Sequence, residues 1–154
     1  MYTMTVSRHI GASPDAVYRA LLDAEAVAAW RVPDGMTCTV HEFEGRQGGA
    51  FRISLTYESA GAAGKTSGAT DTYYGHFVEV VPGEKVVERL RFVTDDPGLA
   101  DEMTMTTTLT PADGGTDVAI THEGIPDSVP AADNETGTRM ALDKLARWTE
   151  TATA

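Results

Sequence analysis

The stretch "GTRMALDKLARW", residues 137–148, decides the fold. On a helical wheel Gly137, Ala141, Leu145 and Trp148 fall within one narrow stripe, with Leu142 at its flank. Asp143, Lys144 and Arg147 take the other side. Such a stripe marks a helix that lies on an apolar surface. Two of its residues are very small, so the helix either sits close to a sheet or leaves space above it. Trp148 is expected to close one end, and Met140 to reach the rim of any space left. The periodicity predicts a helix from about Asn134 to Ala152, capped by Asp133.

Upstream the period changes from helical to two. "YTMTVSRHI" (2–10) alternates, with Tyr2, Met4, Val6 and Arg8 on one side. "TCTVHEFE" (37–44) and "AFRISLTYE" (50–58) follow, joined by the tight turn "GRQGG". In the latter strand Phe51, Ile53, Leu55 and Tyr57 oppose Arg52, Ser54 and Thr56, as in a sheet with one buried face. "TYYGHFVEVV" (72–81) and "KVVERLRFVT" (85–94) read as a hairpin, as do "EMTMTTTLT" (102–110) and "TDVAITHEG" (116–124). The turn "PADGG" supplies Pro, Asp and Gly between the last two. Residues 59–71, rich in Gly, Ala and Ser, read as a flexible loop. Between the first two strands, Ser13 and Pro14 open one short helix and Asp23 to Trp30 forms another.

The order is therefore strand, two helices, about six strands, one long helix. Short turns between consecutive strands give an antiparallel sheet. A sheet with one apolar face needs a cover, and the C-terminal helix is the long amphipathic element left to supply it. The fold class expected is α+β: a curved antiparallel sheet of six or seven strands wrapped around the C-terminal helix. The 154 residues form one domain, 1–154.

A net charge of −11 sets the chain against phosphate backbones and anionic lipid, so nucleic acid is not an expected partner. No apolar run approaches the roughly 18 residues of a membrane span. The N-terminal segment lacks a signal-peptide core. The single cysteine, Cys38, precludes an intrachain disulfide and reads as a small buried hydrophobe. The expected setting is cytoplasmic, and the expected state a monomer or homodimer.

The order of elements resembles the helix-grip fold of the START-like, or SRPBCC, superfamily, also called birch-pollen-allergen-like. Within it the chain is similar to the branch named for the activator of the heat-shock-protein-90 ATPase. The pieces that carry the resemblance are "SPDAVYRALLDAEAVAAW", "GGAFR", "YGHFVEVVPGEKVVE", "TMTTTLTPADGGTDVAITHEGIP" and "NETGTRMALDKLARW". The chain departs from the branch where members commonly carry Gly-Trp and this sequence has Gly137-Thr138. It departs again after Trp30, where Arg31-Val32-Pro33 replaces a frequent second aromatic. The resemblance implies a cavity between sheet and C-terminal helix. Relatives hold lipids, hormones or polyketides there, and some catalyse cyclisation or dehydration.

The expected lining combines that implication with the inward alternation: Trp30, Phe51, Ile53, Leu55, Phe92, Met105, Ile120, His122, Ala141, Leu145 and Trp148. The expected partner is a small hydrophobic or amphipathic ligand. His122 shares a face with Val118 and Ile120, so it can touch a ligand, act as general base or steady the loop that follows. An enzyme of the cyclase, dehydratase or hydrolase type in the same cavity would use His122 or a buried acid as base. Arg89 and Arg91 alternate with Leu90 and Phe92 and face solvent, whereas an inward arginine would point to an anion. Tyr73 and Tyr74 beside Gly75 either gate the cavity or pack. The four histidines show no metal-ligand spacing, and no cofactor motif is present. A co-chaperone role is the third reading, by fold analogy. Eukaryotic activators carry a separate chaperone-binding domain for which 154 residues leave no room.

Overall fold

The structure is a computed structural model, and it describes residues 1–57, 70–94, 97 and 101–152. The elements are β1 (Tyr2–Ile10), α1 (Pro14–Leu21), α2 (Ala24–Trp30), β2 (Met36–Phe43), β3 (Ala50–Tyr57), β4 (Thr70–Val81), β5 (Lys85–Phe92), β6 (Met103–Ala112), β7 (Gly115–Ile125) and α3 (Ala131–Ala152). All neighbouring strands are antiparallel, in the order β1-β7-β6-β5-β4-β3-β2. The α1–α2 crossover separates β1 from β2 and sends them to opposite edges. The sheet is curved, and α3 packs against α1, α2 and β1. The expected α+β architecture is the observed one.

Local chemistry accounts for these boundaries. Ser13 caps α1 by accepting from Ala16 N at 3.2 Å, and Pro14 occupies the first turn, where a missing N–H is harmless. Asp23 caps α2 through Glu25 N at 3.0 Å. The β6–β7 hairpin closes on Asp113 (φ 42°) and Gly114 (φ 77°). Two successive positive φ values match the right-handed twist of the flanking strands, and Asp-Gly is the dipeptide that tolerates them.

Two boundaries differ from the sequence reading. Helix α3 starts at Ala131, with Asp133 inside its first turn and not at its cap. The carbonyl of Pro130 already accepts from Asn134 N at 3.1 Å, so the helical ladder begins there. Proline lacks a donor but keeps this acceptor. Thr70 and Asp71, read as the end of the loop 59–71, belong to β4. There they pair with Thr56 and Leu55. The rest of that loop lies outside the described residues.

The core gathers around Val6, Ile10, Val17, Val27, Ile53, Phe77, Val118 and Leu145, all nearly inaccessible. Phe51, Phe77 and Phe43 meet edge to face or tilted, with centroids 5.2 and 5.5 Å apart. The C-terminal half of α3 drives Leu142, Leu145, Ala146 and Thr149 into this core. Truncating the fully buried Leu145 to Ala is expected to cost about 2–5 kcal/mol, from lost transfer energy and the void left behind. Urea unfolding checks it. A loss below about 1 kcal/mol would mean that α3 does not anchor the fold through this residue.

Candidate functional site

The N-terminal half of α3 behaves differently. Asn134, Gly137, Thr138, Met140 and Ala141 line a cavity of about 950 Å³ between the helix and the sheet. A Cβ placed on Gly137 would meet nothing within 4 Å. The small residues of the stripe thus leave space in this half, whereas Leu145 fills it in the other. The long helix both roofs a cavity and seals a core.

Seven of the residues expected from the sequence line the cavity: Trp30, Leu55, Phe92, Met105, Ile120, His122 and Ala141. Phe51, Ile53 and Leu145 sit in the packed core, and Trp148 rests half-buried against it. Ile53 is paired across the sheet with Tyr73, which does line the cavity. Trp30 is held in place by its indole N–H, which donates to Ala20 O at 3.0 Å. Tyr74 points the other way, with the Arg52 guanidinium carbon 5.2 Å from its ring centroid.

The inward arginine is Arg31. It follows the last turn of α2, where its backbone N–H caps the helix on Val27 O at 2.9 Å. Its side chain enters the cavity wall and donates from Nη1 to Glu88 Oε1 at 2.6 Å. The two side chains are 13 % and 5 % exposed, so this is a buried ion pair. Arg31 Nη2 reaches Met105 Sδ at 3.7 Å. The guanidinium carbon lies 5.2 Å from the Tyr73 ring centroid and 5.9 Å from that of Phe51. Burial alone would weaken the charge, but the Glu88 carboxylate holds the guanidinium pKa above its ordinary value.

Around this pair the titratable groups are kept neutral. Burial pushes the Tyr73 phenol up, against the pull of Arg31. Its hydroxyl is buried within the guanidinium's electrostatic reach and, among the described residues, completes no hydrogen bond of good geometry. Burial, reinforced by the charge of Arg31, pushes the His122 imidazole down to about 4, while a hydrogen bond with Asn134 opposes the shift. Near neutral pH His122 is therefore a neutral donor and acceptor. A base so weak is poorly matched to proton abstraction at that pH. Cys38, half-buried on β2, has its thiol pushed up by burial and is not an activated nucleophile. Among the described residues no group of three His, Cys, Asp or Glu side chains is placed to hold a metal ion, and no helix is long and apolar enough to cross a membrane.

Sequence reasoning missed Arg31, Glu88 and Tyr73 as a unit. One signal was present: Glu88 lies in phase with Val86 and Leu90 on the buried face of β5. A carboxylate on an apolar face needs a cation. No periodicity marks that cation, because Arg31 sits in the turn that follows α2.

A curved antiparallel sheet closed by a long terminal helix over a partly polar cavity defines a helix-grip protein. Residues 11–150 match the family described as Activator of Hsp90 ATPase homolog 1-like protein, and the chain belongs to that family. A crystal structure of a Chromobacterium violaceum protein is 37 % identical, with 96 % of each chain covered and a TM-score of 0.85. A Rhodobacter sphaeroides protein shares 23 % identity over 97 % of this chain and 93 % of its own, with a TM-score of 0.79. The AHSA1 protein of Silicibacter pomeroyi shares 17 % over 98 % and 99 %, also at 0.79. The last two likenesses concern the fold alone. No curated protein matches the chain.

The environment of His122 makes stability depend on pH. The unfolded histidine takes a proton near 6.5, but the folded one does so only at about 4. As pH falls through that window the unfolded state binds more protons, so stability falls. At 1.36 kcal/mol per pKa unit, His122 accounts for a loss of roughly 3 kcal/mol. Urea unfolding across this range should show a correspondingly shallower pH dependence for His122→Gln than for the wild type. Parallel profiles would show that His122 is not held neutral.

Proposed function

We infer that this protein binds an apolar or amphipathic small molecule in the cavity between the sheet and the N-terminal half of α3. The observation that carries this reading is the space itself. About 950 Å³ is walled by Trp30, Leu55, Phe92, Met105 and Ile120, and it stays open because Gly137 and Ala141 carry almost no side chain. This volume lies near the top of the roughly 300–1,000 Å³ range usual for small-molecule sites, where mostly apolar walls carry a few placed polar groups. Arg31, Tyr73 and His122 are those polar groups.

The proposed unit is one domain, acting as a monomer or homodimer in the cytoplasm. Its lone, free Cys38 fits a reducing compartment. An enzymatic use of the same cavity would need a base better tuned than His122. A chaperone-activating role rests on the family's description alone.

Native mass spectrometry of freshly purified protein is the direct test for a co-purified ligand. A titration with the neutral fluorescent lipophile N-phenyl-1-naphthylamine then tests the location. The wild type is expected to bind it saturably. Gly137→Leu, which fills the open space, is expected to weaken binding at least about tenfold. Gly137→Ala should raise stability by about 0.5–1 kcal/mol, since a helix-interior glycine gains from a methyl group that meets no neighbour. Undiminished probe binding by Gly137→Leu, in a folded protein, would place the site elsewhere.

A further inference from the structure

Four of the six methionines line the cavity, although its wall is a small part of the chain: Met36, Met103, Met105 and Met140. The packed interior is built differently. Its largest fully buried side chains are Phe, Ile, Leu and Val, with no methionine among them in the described residues. The two kinds of side chain differ in stiffness. Branching at Cβ restricts χ1 in Val and Ile, whereas Met has three rotatable bonds and a polarisable thioether that fills irregular gaps. The cavity methionines also come from three sides. Met36 opens the edge strand β2, Met103 and Met105 lie on β6, and Met140 lies on the roof helix α3. Met105 is fixed, because Arg31 Nη2 reaches its sulfur at 3.7 Å. Met36 and Met140 are half-buried and Met103 is 8 % exposed, and among the described residues nothing polar fastens the three thioethers.

We propose that the cavity holds lipophilic molecules of different shapes with similar affinity, because Met36, Met103 and Met140 refit its wall to each of them. The inference rests on the cavity being a binding site, as inferred above.

A methionine passes between staggered rotamers at little cost. Forcing a branched side chain off its rotamer costs roughly two- to tenfold in affinity. A flexible wall therefore ranks ligands by the apolar area they bury, and a stiff wall ranks them by fit. Flexible, methionine-rich surfaces are a known route to binding several partners at one site. The geometry also points to a kind of work. Catalysis needs a substrate held in one reacting pose, and a wall that yields on three sides holds such a pose poorly. Carriage or sequestration needs only that the ligand be buried. The ligand class is thus lipophiles as a group, with linear, globular or flat hydrocarbon bodies.

The test is displacement of N-phenyl-1-naphthylamine from the full chain by three alcohols of equal carbon number. Decan-1-ol is linear, adamantan-1-ol globular and tetralin-2-ol flat. Each Kd is multiplied by the compound's octanol–water partition coefficient, so that differences in escape from water cancel. For the wild type the three products are expected to agree within about threefold. The comparison is a variant carrying Met36→Ile, Met103→Ile and Met140→Leu, swaps that nearly keep volume and remove freedom. Its products should spread about tenfold or more, with at least one alcohol bound as tightly as before. A wild type that already separates the three by about tenfold would overturn the proposal, and that result does not depend on the variant folding. An even wild type beside an equally even, folded variant would overturn the role of the methionines. If neither probe nor alcohol binds, the binding cavity itself falls, and the adaptable wall with it.

Discussion

The ion pair between Arg31 and Glu88 joins the two layers of this protein where they enclose its cavity. Arg31 comes from the end of α2, and Glu88 from the middle of the sheet, in register with Phe77 and Met105. Each charge is buried and tolerable only because the other is there. Two well-packed apolar side chains would hold the layers together at least as well, so stability does not account for the pair. What the pair supplies is a polar, fixed corner in a wall otherwise built from Trp30, Met105, Leu90 and Ile120.

The segment that delivers Arg31 is itself fastened to the roof. Lys144 on α3 donates to Val32 O at 2.6 Å and lies 3.0 Å from Asp34 Oδ1. One helix therefore performs three tasks along its length. Its first turns line the cavity, Lys144 ties down the stretch after α2, and Leu142, Leu145 and Ala146 complete the core. The division follows side-chain size: Gly137 and Ala141 leave room where Leu145 leaves none.

Much of this architecture was legible in the sequence, because alternation along a strand and a stripe along a helix are periodic signals. Val118, Ile120 and His122 do share the inner face of β7, and the Asp113-Gly114 turn stands where its residues require. The cavity was less legible. A stripe of Gly137, Ala141, Leu145 and Trp148 is the same on a helical wheel whether a sheet approaches it or leaves a gap. Only the distance from α3 to the sheet separates the cavity residues from the core residues, and periodicity carries no distances. Arg31 was hidden for a different reason. It lies in an irregular turn, its partner is 57 residues away, and a contact of that span has no local signature.

Most departures from ordinary stability rules gather at the cavity, the buried unpaired hydroxyl of Thr107 apart. Elsewhere the molecule follows those rules: helix caps on Ser13 and Asp23, an Asp-Gly hairpin, fully buried aliphatic residues at the base of α3. Around the cavity it breaks several at once. Gly137 sits inside a helix, the Tyr73 hydroxyl is buried with no hydrogen-bond partner among the described residues, His122 is held neutral near pH 7, and a charge pair is taken out of water. The glycine, the unpaired hydroxyl and the buried charges each cost stability, and the histidine does so as the pH falls below about 6.5. A chain selected only to fold would distribute such costs or avoid them. Their convergence on a single wall supports the proposal that this wall belongs to a binding site.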